Sequence, residues 1–198
     1  MKLDPSVDID LLPEVYDPND DSYLILEAIE VSAGERLLDM GCGTGLIAIH
    51  AAKAGAEVVA ADINPNAVNC TRRNAHKNGV RLDVVQSDLF ENVRGVFDVI
   101  AFNPPYLAGE DTTTTWIERS WSGGDDGIDV AGPFLEQASE HLTPSGRIYI
   151  ILSSLGGLRT LLRMARRQYR STMVNEKHMF FESIFAYRLE RDILAGDK

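Results

Sequence analysis

The chain has 198 residues, of which 44% are hydrophobic and 25% are charged, and its formal net charge is −11. Length and composition indicate one globular domain, residues 1–198, with a sizeable core. The negative charge argues against a domain that holds duplex nucleic acid mainly through its phosphates, although a partner could supply a basic surface.

Several other classes of protein are excluded by what the sequence lacks. No apolar run is long enough to span a bilayer, and the N-terminal "MKLDPSVDID" has no apolar signal core, so we expect a cytoplasmic protein with no membrane contact. The two cysteines, Cys42 and Cys70, predict neither a disulfide framework nor a zinc site. The four histidines are scattered, so no metal site is expected.

Helix and strand patterns alternate along most of the chain. Helices are predicted over residues 20–34, 45–55, 64–79, 132–146 and 155–169. Strands are predicted over residues 35–40, 57–62, 81–88, 97–103 and 147–153, and an antiparallel pair over 171–178 and 180–190. This alternation predicts a doubly wound α/β sheet, mostly parallel, with an antiparallel C-terminal edge hairpin. Residues 107–127 form a long irregular segment, which in a compact domain is usually functional or disordered.

A glycine loop joins the first strand to the second helix. "DMGCGTG" places Gly41, Gly43 and Gly45 immediately after Asp39. Such a turn lets the backbone approach a ligand closely, and the helix start points N–H groups at it. The spacing is neither that of a dinucleotide fingerprint nor that of a P-loop. An acidic residue before the glycines suits a ligand with positive charge, such as the amino acid end of S-adenosylmethionine.

Three consecutive predicted strands finish in an aspartate: Asp39, Asp62 and Asp88. Ligands of open α/β sheets bind at the carboxyl ends of the strands, and an acid at the end of the second strand is placed for a ribose diol. Each aspartate alone is also explained as a cap of the following helix or turn. Three of them beside a glycine loop favour a ligand site.

The stretch "FNPPY", Phe102 to Tyr106, ends the fourth strand. Proline cannot donate to a sheet ladder, and it pushes the residue before it toward extended backbone. Asn103 is therefore held rigidly at a strand end. A strand exit with a capping asparagine would give the same stretch without any ligand.

The glycine loop and the strand-end acids resemble those of class I S-adenosylmethionine-dependent methyltransferases, over nearly the whole chain. The flanks resemble one branch, the archaeal and eukaryotic type of HemK-like release-factor glutamine N5-methyltransferase. The matching stretches are "VYDPNDDSYLILEAI", "DMGCGTG", "ADINPNAV", "SDLF", "FNPPY" and "WSGGDDGIDV…FLEQASEHLTPSGRIYII". This resemblance implies a Rossmann-like sheet of seven strands and, as substrate, the glutamine of the Gly-Gly-Gln loop in a class 1 peptide-release factor.

The resemblance also assigns roles to residues that match its motifs. Cofactor binding is implied for Ser22, Asp39, Gly41, Gly43, Gly45, Asp62, Asp88, Leu89 and Asn103. Among these, Asp39 and Gly41 would hold the methionine end, Asp62 the ribose, and Asp88 with Leu89 the adenine. Ser22 belongs to an N-terminal segment, residues 1–33, that covers the cofactor.

The "NPPY" tetrapeptide would hold the group that receives the methyl. In the resembled class it serves nitrogens whose lone pair is delocalised, which need positioning more than a strong base. The Asn103 side-chain oxygen and the Pro104 carbonyl would each accept one N–H of the target amide. Pro105 stiffens the loop, and Tyr106 would pack on the planar group. Trp121, in "WSGG", is expected to shape the pocket wall or to be a core aromatic.

A partner subunit follows from the resemblance as well. Enzymes of this branch typically need a small zinc-binding activator, and the predicted strand 81–88 would be an open edge for strand addition. The chain is expected to lack the N-terminal helical domain of the bacterial branch.

Three rival functions remain open from sequence alone. An N6-adenine or N2-guanine nucleic-acid methyltransferase would use the same "NPPY", but the negative charge and the missing recognition domain make nucleic acid an unlikely partner. A cofactor-binding scaffold without activity has no need of "NPPY". A protein lysine methyltransferase needs a base to deprotonate the amine, and none is evident.

Overall fold

The computed structural model describes residues 1–106, 115–120, 122–124 and 127–192. Its centre is one sheet of seven strands in the order β3-β2-β1-β4-β5-β7-β6. The strands are β1 (Arg36–Met40), β2 (Glu57–Asp62), β3 (Asp83–Gln86), β4 (Phe97–Phe102), β5 (Leu142–Ser153), β6 (Tyr169–His178) and β7 (Ser183–Arg191). The first five run parallel, and β7 is antiparallel to both of its neighbours. The predicted mostly parallel sheet with an antiparallel edge hairpin is therefore confirmed.

Helices cover both faces of this sheet. They are α1 (Asp20–Ala28), α2 (Leu46–Lys53), α3 (Pro65–Lys77), α4 (Trp116–Arg119), α5 (Ala131–Ala138) and α6 (Leu158–Ala165), with a short 3-10 helix at Ser139–His141. Because successive residues of a strand point to opposite faces, β1 sends Leu37 into the core beneath α1 and α2 and Leu38 into the core beneath α5 and α6. None of the helices in the described ranges is long and apolar enough to cross a membrane.

The first helix is shorter than the predicted range 20–34. Asn19 caps it, in a capping box with Ser22, and Ile29 already has extended backbone. The ammonium group of Met1 donates to the carbonyls of Leu26 (2.8 Å) and Ile29. A cation at the last carbonyls of a helix is favourable, and this one comes from a distant part of the chain.

The predicted helix over residues 132–146 is also too long. Helix α5 ends at Ala138, and β5 begins at Leu142, where it pairs with Phe97 of β4. The register shifts between Phe97 and Val99. A Cβ on Gly146 would lie 2.9 Å from the Phe97 carbonyl oxygen, so this glycine lets the two strands approach.

The other boundaries agree more closely with the sequence patterns. Asn64 caps α3 with Pro65 in its first position, as predicted. Strand β3 and helix α6 are each shorter than predicted, and β6 begins two residues earlier. The four-residue helix α4 lies inside the segment predicted to be irregular, residues 107–127.

Candidate active site

A cavity of about 380 Å³ opens at the carboxyl ends of β1 to β4. Its wall includes nearly every residue that the sequence singled out. These are Ser22, Asp39, Gly41, Gly43, Asp62, Asp88, Leu89, Asn103, Pro104 and Pro105. Gly45 and Tyr106 are not among the described residues that line it.

The glycine loop has backbone that side chains rarely adopt. Gly41, Gly43 and Gly45 have φ of 66°, 53° and 83°. Gly45 is the N-cap of α2, and a Cβ on it would lie 3.0 Å from Cγ2 of Thr71 in α3. Gly45 therefore lets α2 and α3 pack closely behind the loop, whereas Gly41 and Gly43 face the cavity.

Asp39 lies at the base of the cavity and is almost fully buried. One of its oxygens accepts a 3.0 Å hydrogen bond from the Ala48 N–H in the first turn of α2. Burial, with a smaller contribution from the charge of Asp62, raises the pKa of Asp39 to about 8. The carboxyl thus caps a helix, as the sequence allowed, and it also faces the cavity, where a cationic group would favour its ionised form.

Asp62 ties the end of β2 to the glycine loop. Its Oδ2 accepts from the Gly43 N–H and its Oδ1 from the Asn64 N–H, both at 2.9 Å. Burial raises the pKa of this carboxyl too. The Ile63 N–H bonds this carboxylate as well. A carboxylate offers about four lone-pair positions, so about one remains for a hydroxyl donor from the cavity.

The third acidic position differs from the prediction. Strand β3 ends at Gln86, so Asp88 lies two residues beyond the strand and is exposed. The next residue, Leu89, has a φ of 42°, which is rare for a bulky side chain. Its carbonyl accepts a 2.7 Å hydrogen bond from the Ser87 hydroxyl, which holds the turn. Such strained backbone concentrates at binding sites.

Asn103 is the first residue after β4, and its side chain faces the cavity. The side-chain oxygen is buried and has no hydrogen-bond partner in the described part of the chain. An unsatisfied buried acceptor costs about 1–3 kcal/mol, so it points to a donor that arrives with a ligand. That Asn103 accepts from the target amide stays a prediction.

Tyr106 lies behind the cavity wall. Its hydroxyl donates to Oδ2 of Asp21 at 3.2 Å, and the Tyr16 hydroxyl donates to the same carboxylate at 3.1 Å. Burial and the charge of Asp21 raise the pKa of both phenols, which keeps them as neutral donors. Neither Tyr16 nor Asp21 was predicted, since Tyr16 lies in no motif and an acid at a helix start is typical of an ordinary cap.

Three glycines surround the backbone of Pro105 and Tyr106. A Cβ on Gly123 would lie 2.7 Å from the Pro105 carbonyl oxygen. Cβ atoms on Gly127 and Gly156 would overlap the Tyr106 carbonyl oxygen. Only glycine fits at these positions, so the "NPPY" backbone is packed from several sides.

Helix α4 forms the outer wall of the cavity. Trp116, Arg119, Ser120 and Ser122 line it, and the Arg119 guanidinium lies 5.2 Å from the centre of the Trp116 ring. The backbone N–H of Trp116 donates to the Glu14 carboxylate at 3.0 Å, which joins α4 to the N-terminal segment. Trp121 lies outside the described residues. No group of three His, Cys, Asp or Glu side chains that could hold a metal occurs in the described ranges.

The chain matches the family described as methyltransferase small domain over residues 16–182. It is 41% identical over 154 residues to a Methanocaldococcus jannaschii protein provisionally named as a protein N5-glutamine methyltransferase, with 76% of this chain and 78% of the relative covered. It is 35% identical over 152 residues to methyltransferase HEMK2 of Mus musculus, with 70% of this chain and 71% of the relative covered.

Solved structures share the fold. The structure described as "E. cuniculi Mtq2-Trm112 complex" superposes with a TM-score of 0.72 at 23% identity, covering 90% of this chain and 99% of that chain. The Thermus thermophilus 16S rRNA methyltransferase RsmC, solved with AdoMet and guanosine, gives a TM-score of 0.69 at 22% identity, covering 88% of this chain and 44% of that one. The family match and the two sequence relatives confirm the resemblance drawn from the motifs: the chain belongs to the methyltransferase small domain family, within the HemK-like group of glutamine N5-methyltransferases.

Proposed function

We propose that this methyltransferase transfers a methyl group from S-adenosylmethionine to the side-chain nitrogen, N5, of the glutamine in the Gly-Gly-Gln loop of a class 1 peptide-release factor. The observation that carries the proposal is the buried side-chain oxygen of Asn103, which faces the cavity without a partner in the described part of the chain. The names of the relatives agree with this chemistry.

The residues of the cavity fit S-adenosylmethionine as cofactor. The cavity volume lies in the range of small-molecule sites. Asp39 and Gly41 would hold the charged amino acid end, and the Asp62 carboxylate would accept from a ribose hydroxyl. When bound, the cofactor supplies a methyl group on a positively charged sulfur.

The outer part of the cofactor also has candidate contacts. Asp88 and the strained Leu89 would contact the adenine. Gly43 would let the backbone approach the cofactor closely. Gly45 acts indirectly, by letting α2 pack against α3. Ser22, in the segment 1–33 that we propose as the cofactor cover, completes the wall beside α4.

The target amide is positioned by the strand exit. The Asn103 side-chain oxygen and the Pro104 carbonyl each accept one N–H of the glutamine amide, which fixes its plane and aims the nitrogen lone pair into the cavity. An amide nitrogen is a poor nucleophile, so orientation contributes more than a base does. Neither histidine nor glutamate is among the described residues that line the cavity. Pro105 stiffens the loop, and Tyr106, held by Asp21, supports it from behind.

A small zinc-binding activator subunit is part of the proposal, with the β3 edge as its binding site. Strand β3 lies at the end of the sheet, and among the described strands it pairs with β2 alone. The Arg72 guanidinium, rather than a further strand, donates to its Val84 carbonyl at 2.7 Å. The structurally similar E. cuniculi protein Mtq2 was solved in complex with Trm112. A protein expressed alone that is monodisperse and fully active would contradict this part.

The test of the function is a methyl-transfer assay with labelled S-adenosylmethionine. The protein, with and without the activator, is mixed with the class 1 release factor, and in parallel with duplex DNA, and mass spectrometry locates the label. We expect label on the Gly-Gly-Gln glutamine and none on the DNA. Label on nucleic acid alone would replace the proposal with the nucleic-acid alternative. Since release factors act on the ribosome, the proposed compartment is the cytoplasm.

A further inference from the structure

The turn between β6 and β7 carries two phenylalanine side chains that face solvent. Phe180 is 92% exposed and Phe181 is 84% exposed, and no other large hydrophobic side chain in the described ranges exceeds 54%. The two rings touch edge to face, with centroids 4.6 Å apart. We call these two residues the phenyl pair. An exposed apolar surface of this kind is typical of an interaction site.

The turn that carries the phenyl pair is firmly anchored. The Met179 N–H donates to the Glu182 carbonyl at 2.7 Å, which closes the turn, and the Met179 side chain packs against the core beneath α1 and α2. Lys177 forms a 2.8 Å ion pair with Asp20 at the start of α1. The exposed rings are therefore held in place by the residues on either side of them.

The phenyl pair lies at the same edge of the sheet as the cavity. Ser153 ends β5 at this edge, and its hydroxyl donates to the Glu182 carboxylate at 2.6 Å. Glu182 is also close to the strand exit. Burial and the charge of Asp21 are the main causes of the raised pKa of Tyr106, and the charge of Glu182 adds to them. The chain therefore places two phenyl rings beside the residue that supports "NPPY".

A protein substrate must contact the surface around the cavity, since a cavity of about 380 Å³ admits a side chain but not a folded domain. Leu155, in the loop after β5, adds a further exposed apolar side chain at this edge. Glu176 and Glu182 flank the turn, where Lys177 is already paired with Asp20 and His178 lies beside Glu176. The chain as a whole carries a net charge of −11, which favours basic groups on the partner. The activator proposed at β3 would bind the opposite end of the sheet from β6.

We propose that the phenyl pair is a docking site for the substrate protein, which it binds outside the loop that enters the cavity. The inference rests on the proposed function and names the surface that selects the substrate. The substrate patch that fits is an apolar depression bordered by lysine or arginine side chains. Binding there holds the substrate while the glutamine enters the cavity, so the phenyl pair acts on substrate affinity and not on the reacting atoms.

The test is a double variant, Phe180→Ser with Phe181→Ser, assayed with the class 1 release factor in the presence of the activator. We expect the KM for the release factor to rise about tenfold or more, with kcat and the Kd for S-adenosylmethionine unchanged. The matched control is Val96→Ser, which removes an exposed apolar side chain directly before β4, at the opposite edge of the sheet. The control should leave all three constants at their wild-type values.

Each other result overturns the inference. An unchanged KM in the double variant, beside wild-type methylation of the release factor, removes the docking site and leaves the proposed function intact. Loss of activator co-purification, or sedimentation showing a wild-type dimer that the double variant abolishes, assigns the phenyl pair to another occupant. A wild-type protein that transfers no methyl group to the release factor removes the proposed function and this inference together.

Discussion

The Tyr106 hydroxyl donates a 3.2 Å hydrogen bond to Oδ2 of Asp21, a residue that precedes it by 85 positions. Asp21 is buried at the start of α1 and also accepts from the Tyr16 hydroxyl and the Ser22 N–H. One carboxylate therefore joins the N-terminal segment to the end of "NPPY". Tyr106 is a positioning residue for Asn103 in this account.

Removing that link should reduce the rate more than the affinity. Tyr106→Phe is expected to lower kcat about tenfold, because the loop that holds Asn103 loses its support, with little change in the Kd for S-adenosylmethionine. Steady-state kinetics and calorimetry measure the two effects. Tyr16→Phe is the comparison, since it removes a bond to the same carboxylate without touching the loop; because Tyr16 lines the cavity, its Kd for S-adenosylmethionine is measured as well. Equal losses of kcat in both variants would mean that the cluster has only a structural role.

The glycine packing around Tyr106 should be sensitive to a single methyl group. Gly156→Ala places a Cβ on the Tyr106 carbonyl oxygen, so the free energy of unfolding should fall by about 2 kcal/mol, and activity should fall further as the loop shifts. Gly34→Ala is the control: Gly34 has a φ of 83° and open space around it. It should cost about 1 kcal/mol from backbone strain and leave activity unchanged. Denaturant unfolding measures the free energy change, and the methyl-transfer rate measures the activity. Wild-type values of both for Gly156→Ala would show that the Tyr106 backbone is not tightly packed there.

Asp39 should make the ligand-free protein less stable as the pH rises. The folded state holds this proton up to about pH 8, whereas the unfolded chain releases it near the ordinary value of 3.8. Between those values the folded state binds more protons, so the free energy of unfolding falls by up to about 1.4 kcal/mol per pH unit. Asp39→Asn removes this contribution and leaves that of Asp62, whose pKa burial also raises. Urea unfolding at several pH values between 5.5 and 7.5 should give a shallower slope for the variant; parallel slopes would contradict the prediction.

Cofactor affinity should depend on pH in the opposite sense. The ammonium group of S-adenosylmethionine binds the ionised form of Asp39, so its Kd should decrease as the pH rises from 6 toward 8. Binding below pH 8 should release a proton, which calorimetry detects by comparing buffers of different ionisation enthalpy. Asp39→Asn should bind weakly and without this pH dependence. A Kd for the wild-type protein that is constant between pH 6 and 8, with no proton released, would exclude the role given to Asp39.

The sequence predicted those parts of the structure that local patterns specify. The alternation of strands and helices predicted the sheet, Asn64 and Pro65 predicted the start of α3, and "FNPPY" predicted the end of β4. Contacts between distant residues decided the rest. The Met1 ammonium bonds the carbonyls at the end of helix α1, and β5 begins at Leu142, where it pairs with Phe97.

In the candidate site, too, local motifs could be read from the sequence, whereas contacts between distant residues could not. The residues of the glycine loop and the strand ends were predicted because each belongs to a short motif. The bond from Trp116 to Glu14, like that from Tyr106 to Asp21, joins residues far apart in sequence, and no pattern in the sequence indicates either pairing. Tertiary structure alone brings these pairs together.

The rate of methyl transfer by Asn103→Ala tests the central claim most directly. With saturating cofactor, activator and release factor, a single turnover should slow by about 100-fold or more, because the amide loses an acceptor that orients it. The midpoint of urea unfolding should stay at the wild-type value or rise, since the deleted oxygen has no partner in the described part of the chain. A single-turnover rate within a few fold of the wild type would show that Asn103 does not position the glutamine.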